Sequence, residues 1–176
     1  MLVFAFIVSE AGAQEKQFTN EKYKFKLDLP AEALIGETGL DAVFEFRGIE
    51  KTFGQNALFF LKRVISIKMT PIEKMEDYLK QDSTVEAFDK DFISTMKQSF
   101  PDIKSLDKFF SYFNERPGIQ GTYTFKVGGE EIKGRYLLLL VKNQSSVYVF
   151  SWASRTSSFE NWNKVAEKSL GSLKTF

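Results

Sequence analysis

The side chains of this 176-residue chain that could carry out chemistry are carboxylates, lysines, tyrosines and serines, because the sequence contains no histidine and no cysteine. Histidine is the usual general base and the commonest metal ligand near neutral pH. Cysteine supplies thiolate nucleophiles, soft metal sites and disulfides. Their joint absence excludes Ser-His-Asp and Cys-His catalysis, the usual zinc sites, haem held by either residue and iron–sulfur clusters. We therefore expect no metal and no cofactor.

Paired carboxylates remain as a possible catalytic device, because a glycoside hydrolase needs only an acid and a nucleophile or base. No motif in the sequence supports such a pair, and a domain of this size leaves little room for a polysaccharide cleft. We therefore expect a protein that is not an enzyme. A carboxylate-based hydrolase stays as the alternative, which two acidic side chains about 5–10 Å apart in a pocket would support.

Two arginines are candidate binding residues because each is a cation placed where a ligand could reach it. Arg116 follows Asn114 and Glu115 in a tight turn, where it could contact an anion or a protein partner. A charged turn residue is more often solvated beside a neighbour such as Glu115. Arg47 is a single cation on a strand, which is more often the partner of a cross-strand neighbour than a ligand-binding group.

Trp152 and Arg155 are the other two candidate binding residues, because tryptophan and arginine are enriched in interface hot spots. Both lie near the end of the last long strand. Trp152 shares a strand face with Tyr148 and Phe150, since alternate residues point to the same side. This alternation favours burial of Trp152 in the core.

The first thirteen residues resemble a signal peptide. Residues 2–8 are an unbroken apolar run, and Ala11-Gly12-Ala13 has the small-x-small pattern of a signal-peptidase site. No lysine or arginine follows Met1, which a start codon placed too far downstream would explain. We expect a signal peptide at residues 1–13 and one domain at residues 14–176, with a periplasmic or secreted location. The alternative is an N-terminal strand packed in the core.

Composition and charge limit the classes of partner. The chain has 24 basic and 23 acidic residues, a net charge of +1, and 15% aromatic residues. The charges are interspersed, without the basic stripe that nucleic acid requires. No apolar run approaches the roughly twenty residues needed to span a bilayer. We expect one folded domain that binds no nucleic acid, has no transmembrane span and is a monomer or associates weakly.

Alternating apolar and polar residues predict the strands. Residues 23–29 form a strand with one polar face, which we place near a sheet edge and which Pro30 ends. Residues 43–46 suggest a short strand, and residues 57–69 a long, bent one. An antiparallel meander follows, with strands at 106–113, 119–127, 132–142 and 145–155.

Within the meander, Gly128-Gly129 has the composition of a two-residue hairpin turn. The alternation places Val127 towards the core and Thr122 towards solvent. The last two strands are apolar at successive positions, so both of their faces must be covered.

Three capping boxes predict helix starts, each with Ser or Thr followed three residues later by Glu. They are Thr70–Glu73, Ser83–Glu86 and Ser157–Glu160. An amphipathic stripe follows each box. With two strands buried on both faces, these helices imply an α+β fold: an αβα sandwich with a central antiparallel sheet of about six strands and helices on both faces.

The chain resembles the PsbP-like superfamily, which includes the extrinsic photosystem subunit and the yeast Ran-release factor. The resemblance lies in the first strand, Tyr23–Pro30 (Y-x-F-x-x-x-x-P), in Gln120–Tyr123 within the meander, and in the closing Leu173–Phe176. Members of that superfamily bind and shield other proteins, and the resemblance implies no catalytic residue. Metal sites of the photosystem branch involve histidine and do not carry over, and an exported protein does not meet a nuclear GTPase.

The sequence thus predicts an exported accessory or binding protein that contacts an unidentified protein partner in the cell envelope. Its working surface would be the irregular region 31–56 and turns such as 114–118, since loops on a rigid scaffold often carry recognition. The alternative is a binder of a small apolar ligand in a pocket between sheet and helix, lined by some of the 19 phenylalanines.

Overall fold

A computed structural model describes residues 15–31, 33–36, 44–47, 57–66 and 71–176. The strands in these ranges are β1 (Lys16–Asn20), β2 (Phe25–Leu29), β3 (Leu34–Gly36), β4 (Phe44–Arg47), β5 (Leu58–Ser66), β6 (Lys104–Phe113), β7 (Arg116–Val127), β8 (Glu130–Val141), β9 (Ser146–Arg155) and β10 (Lys174–Thr175). The helices are α1 (Ile72–Leu79), α2 (Asp82–Lys97) and α3 (Phe159–Gly171). The predicted signal peptide lies outside the described residues.

The strands form two antiparallel sheets, which confirms the mixed α+β class. The larger has seven strands in the order β3-β4-β5-β9-β8-β7-β6, and the smaller has the order β1-β2-β10. The expected single sheet of about six strands is not what the described residues form. β2 was expected near an edge, yet it lies between β1 and β10. The same alternation of apolar and polar residues is expected for a strand at a sheet edge and for a strand of a second sheet, because both positions bury one face only.

One core lies between the large sheet and α3. α3 and the small sheet pack together against the inward side chains of β5, β8 and β9, and this face contributes Phe59, Leu137, Leu139, Tyr148, Phe150 and Trp152. α3 contributes Phe159, Trp162, Ala166 and Leu170 to the same core. Trp162 also donates its indole N–H to the Leu58 carbonyl at 3.0 Å.

A second core lies on the opposite face, beneath α1 and α2. Its members include Leu79, Val85, Phe92, Tyr123, Tyr136, Leu138 and Val149. Helices therefore cover both faces of the large sheet, because β8 and β9 present apolar side chains on each side. Among the described residues, no helix is both long and apolar enough to cross a membrane.

The three predicted helices are present. The predicted cap Thr70 lies outside the described residues, and the other two predicted caps differ. Gln81, not Ser83, is the N-cap of α2, and its carbonyl accepts hydrogen bonds from the backbone N–H groups of Thr84 and Val85. Ser158, not Ser157, precedes α3, and its hydroxyl donates to the Arg155 carbonyl at 3.2 Å. A short 3-10 turn leads into α3, so the expected box geometry does not form there.

The meander matches its prediction closely. Gly128 and Gly129 have φ angles of 58° and 84°, as a two-residue hairpin turn requires. Two side-chain placements were wrong: Val127 is exposed and Thr122 is buried. Asp107 accepts hydrogen bonds from both the backbone N–H and the hydroxyl of Thr122, at 2.9 and 2.6 Å. The buried hydroxyl of Thr122 therefore has a hydrogen-bond partner.

Candidate binding surface at one end of the sheet

Four connecting segments meet at one end of the molecule. They are residues 21–24 between β1 and β2, residues 114–116 at the turn from β6 into β7, residues 142–145 between β8 and β9, and the terminal residues 173–176, which include β10. We call these residues the loop end. In an antiparallel meander every second turn lies at the same end of the strands. The β6–β7 turn and the β8–β9 connection therefore lie at the same end of the sheet.

Backbone strain is concentrated in the loop end. Among the described residues, the non-glycine residues with positive φ are Lys24 (53°), Asn114 (47°), Glu115 (64°) and Ser145 (45°). All four lie in loop-end turns. For lysine, glutamate and serine this left-handed conformation is unfavourable, and such residues persist only where the surroundings hold them.

Arg116 and Asn114 tie the β6–β7 turn to the end of α3. The Asn114 amide donates to the Gly171 carbonyl at 2.9 Å, and the Arg116 guanidinium donates to the Leu173 carbonyl at 3.2 Å. The Gly171 carbonyl is at the C-terminus of α3 and has no partner within the helix, so the Asn114 amide satisfies it. Leu173 follows the helix, and Arg116 donates to its carbonyl there. Arg116 is thus half-buried and bonded to backbone, rather than solvated beside Glu115.

The remaining loop-end contacts bind the first turn and the last residues to the β8–β9 connection. The Gln144 amide donates to the Lys24 carbonyl at 2.7 Å, and the side chains of Asn143 and Thr175 are joined by hydrogen bonds of 3.0 and 3.1 Å. The Tyr148 hydroxyl contacts the Tyr23 carbonyl and the Gln144 side chain. Burial raises the pKa of Tyr148 to about 12, so its hydroxyl keeps its proton at neutral pH.

An open cleft of about 290 Å³ lies within the loop end. Its lining residues combine two cations with amide and hydroxyl groups: Glu115, Arg116, Pro117, Leu140, Val141, Lys142, Asn143 and Thr175. Such groups suit an anionic or amide-bearing group of a partner. Glu115 is the single carboxylate among these residues, so the cleft lacks the acidic pair of a glycosidase.

Glu76 on α1 contacts one cation of the cleft from outside. Its carboxylate lies 2.7 Å from the Lys142 ammonium and accepts hydrogen bonds from Tyr112 at 2.6 Å and Lys80 at 3.0 Å. These donors, Lys142 first, lower the pKa of Glu76 to about 2. Lys142 is therefore partly neutralised, and the free positive charge of the loop end comes from other residues.

The loop end is more basic than the chain as a whole. Its four segments contain Lys22, Lys24, Arg116, Lys142 and Lys174 against Glu21 and Glu115, and Glu76 lies beside Lys142. Five cations against three carboxylates leave an excess of two positive charges in a chain of net charge +1. The four lysines are exposed. Such a patch attracts an acidic partner surface and speeds its association.

The four candidate residues from the sequence do not form one site. Trp152 is 1% exposed and its indole N–H donates to the Asn163 side chain at 2.8 Å, which confirms the core interpretation. Arg155 ends β9 at the opposite end of the sheet from Arg116, 2.8 Å from the Glu130 carboxylate. Arg47 is exposed on β4, two strands from β9. Most of the expected working region 31–56 lies outside the described residues.

Sequence reasoning missed the basic character of the loop end. Lys22 and Lys174 lie at nearly opposite ends of the chain, and no local pattern joins them. The β10–β2 pairing brings them to the same end, where Lys174 lies opposite Lys26.

Several phenylalanine rings of the described residues pack against other aromatic rings. Ring centroids are 5.8 Å apart for Phe59 and Phe150, 4.1 Å for Phe100 and Phe125, and 4.5 Å for Phe92 and Tyr136. A further cleft between α3 and β2 has a volume of about 180 Å³, below the roughly 300–1,000 Å³ of typical small-molecule sites.

Known structures establish the fold as PsbP-like, although no protein-family model and no curated protein matches the sequence. Cyanobacterial PsbP (CyanoP) from Synechocystis sp. PCC 6803 superposes with a TM-score of 0.64 at 9% identity, over 96% of each chain. The Saccharomyces cerevisiae Ran-binding protein Mog1p superposes with a TM-score of 0.57 at 7% identity, over 93% of this chain and 96% of its own.

A Bacteroides thetaiotaomicron protein superposes with a TM-score of 0.53 at 13% identity, and the present chain spans 93% of its own length but only 49% of that one. The PsbP-like fold expected from the sequence is therefore confirmed. At these identities the likeness concerns the fold alone, since one fold hosts many functions.

Proposed function

We propose that this chain is an exported, non-enzymatic binding protein that contacts an acidic surface of a protein partner in the cell envelope through its loop end. The observation that carries the proposal is the convergence of strain and positive charge. Among the described residues, all four left-handed non-glycine residues lie at the end of the molecule that carries an excess of two positive charges. Strained residues cluster at functional sites, where the surrounding structure holds them in place.

The hydrogen bonds of the loop end support a binding role for it. Side-chain donors on the β6–β7 turn and the β8–β9 connection hold the terminal residues and the first turn in place. A surface ordered before binding loses less conformational entropy when a partner docks, so more of the contact energy appears as affinity. The PsbP-like fold, which the Ran-binding protein Mog1p shares, is consistent with recognition of another protein.

Export is proposed from residues 1–13 alone. If they are a signal peptide cut after Ala13, the periplasmic or secreted form should begin at Gln14, as mass spectrometry of the native protein would measure. An intact leader on that protein would contradict this part of the proposal.

The loop end is tested by reversing two exposed charges that take no part in its hydrogen bonds, although the Lys22 ammonium lies 5.1 Å from the centroid of the Tyr23 ring. Lys22 and Lys174 are exposed, and their side chains take no part in the hydrogen bonds that join the loop-end segments. The double variant Lys22→Glu, Lys174→Glu should lose partner capture from an envelope fraction by crosslinking and pull-down. The matched control, Lys90→Glu with Lys164→Glu, makes the same change of charge on the exposed surfaces of α2 and α3.

Capture by the wild type should also weaken as salt is added, because exposed charges are screened at high ionic strength. Equal capture by the loop-end variant and the wild type would refute the proposal. So would an equal loss in the control, which would point to net charge in place of a defined surface.

A further inference from the structure

In the part of the chain that the structure describes, strand β6 is an open edge of the large sheet with three exposed apolar side chains. Among the described residues it pairs with β7 alone. Leu106 is 56% exposed, Phe109 42% and Tyr112 52%. An edge strand presents unpaired backbone N–H and C=O groups, to which another strand can add.

The two halves of β6 differ in how the edge is protected. The first half carries Lys104, Asp107 and Lys108, and its register with β7 shifts between Ser105 and Asp107. Charges and bulges are the usual means of blocking strand addition. The second half, Phe109–Phe113, has no charge, proline or bulge. The opposite edge of the sheet, by contrast, is the three-residue strand β3.

Two of the charges on β6 already have partners in their own chain. Asp107 accepts hydrogen bonds from Thr122, and the Lys108 ammonium lies 3.1 Å from the Glu86 carboxylate. A second strand docking here would therefore not leave these charges unpaired, which is the main cost of covering a charged edge.

We propose that β6 pairs antiparallel with β6 of a second copy of this chain, with Phe109 on the two-fold axis. An axis normal to the sheet keeps equivalent faces together, so one residue must lie opposite itself. An axis through Asp107 or Lys108 sets two like charges against each other, which destabilises an antiparallel pair.

The axis through Phe109 places Phe109 opposite Phe109 of the second copy. It also sets the charged half of each strand opposite the uncharged half of the other, so Asp107 lies opposite Ser111 and Lys108 opposite Phe110 of the second copy. An axis through Phe110 instead places Phe109 opposite a serine. Leu106 lies at the register shift and has no opposite residue on β7.

This pairing joins two seven-stranded sheets into one continuous sheet across the axis. The contact is isologous, because the same strand serves on both copies. A net charge of +1 sets up little repulsion between copies. The dimer goes beyond the monomer expected from the sequence, and it uses a different strand from the loop-end contact proposed above.

Disulfide trapping tests the register directly, because the wild type has no cysteine that could interfere. Directly opposite residues on an antiparallel pair have Cβ atoms about 4.5–5.5 Å apart, close to the separation that a disulfide spans. Phe109→Cys should form a disulfide-linked dimer rapidly under mild oxidation. Tyr78→Cys, an equally exposed site on α1, is the matched control and should crosslink slowly.

Sedimentation of the mature protein gives a second, independent measurement. The wild type should show a monomer–dimer equilibrium, and Phe109→Lys or Phe109→Glu alone should raise its dissociation constant at least about tenfold, since like charges would face each other. Mixing the two variants should restore a heterodimer. A wild type that stays monomeric, a mixture that stays monomeric, or equal crosslinking at Tyr78 would each overturn the dimer.

These outcomes are separate from those of the loop-end test. The variant Lys22→Glu, Lys174→Glu should still dimerise, because neither lysine lies on β6. A monomeric wild type that still captures a partner through its lysines would refute the dimer and leave the proposed function standing.

Discussion

Gly134 on β8 lies opposite Tyr123 on β7, and replacing it with alanine tests how the second core is packed. A Cβ at Gly134 would meet the Tyr123 ring and hydroxyl well inside 3.0 Å, a distance that real Cβ contacts essentially never reach. The ring has little freedom to move. Tyr123 is 1% exposed, its hydroxyl lies 2.7 Å from the Ser151 hydroxyl, and its ring centroid is 5.5 Å from that of Phe92.

The expected cost of Gly134→Ala follows from these contacts. Overpacking a well-packed core typically costs about 1–3 kcal/mol. If the ring shifts and the hydrogen bond to Ser151 is lost, two buried hydroxyls are left unpaired, which costs about 1–3 kcal/mol more. We expect the free energy of unfolding to fall by about 2–6 kcal/mol in total.

Urea unfolding followed by tryptophan fluorescence would measure this loss. Gly171→Ala is the control, because a Cβ there meets only the Asn114 amide at an ordinary 3.6 Å. It should be neutral or stabilise the helix end by up to about 1 kcal/mol. In a Tyr123→Leu background the ring is absent, so Gly134→Ala should cost much less. A loss below about 1 kcal/mol, or the same loss in both backgrounds, would refute the overpacking argument.

Three further predictions concern charged residues. Asp89→Ala should lower the free energy of unfolding by about 1–3 kcal/mol, and Asp89→Asn by less, because the buried Tyr136 hydroxyl donates to the Asp89 carboxylate at 2.8 Å and would lose its partner. Glu115→Gly should raise the thermal midpoint, since φ is 64° and glycine adopts that angle without strain. Glu76→Gln should lower the urea midpoint at neutral pH by removing the carboxylate beside Lys142. Because the pKa of Glu76 is lowered from 4.5 to about 2, its contribution is present above pH 4.5 and lost as pH falls towards 2.

Each of these has an outcome that contradicts it. Equal unfolding free energies for Asp89→Ala and the wild type would show that α2 does not depend on this buried contact. A lower thermal midpoint in Glu115→Gly would mean that the glutamate side chain itself stabilises the turn. A gap between Glu76→Gln and wild type that persists unchanged down to pH 2 would show that the ionised carboxylate is not responsible.

The meander was predictable because its signals are local. Alternation over β6–β9 and the Gly128-Gly129 turn specify neighbours that are also consecutive in the chain. Apolar residues at successive positions of β8 and β9 also indicated cover on both faces. The helices were predictable from their periodicity, but their first residues were not. In α2, for example, the Gln81 carbonyl accepts the first backbone hydrogen bonds, so the helix begins before the predicted cap.

The candidate site was less predictable. Arg116 was recognised from its turn, but its guanidinium bonds to the Leu173 carbonyl, a group distant in sequence. Trp152 was correctly placed in the core by alternation. The basic character of the loop end depends on segments separated by up to about 150 residues. No periodic pattern in the sequence indicates that such distant segments lie close together.

The sequence by itself determined the absence of histidine and thiol chemistry, the α+β class, the hairpins and the resemblance to PsbP-like proteins. Only the tertiary structure decided that β2 belongs to a second sheet, that the lysines of distant turns share one end, and that β6 is an edge strand among the described residues. The physical reason is that side-chain periodicity records which face of an element is buried. It does not record which distant element covers that face, and that choice depends on packing across the whole domain.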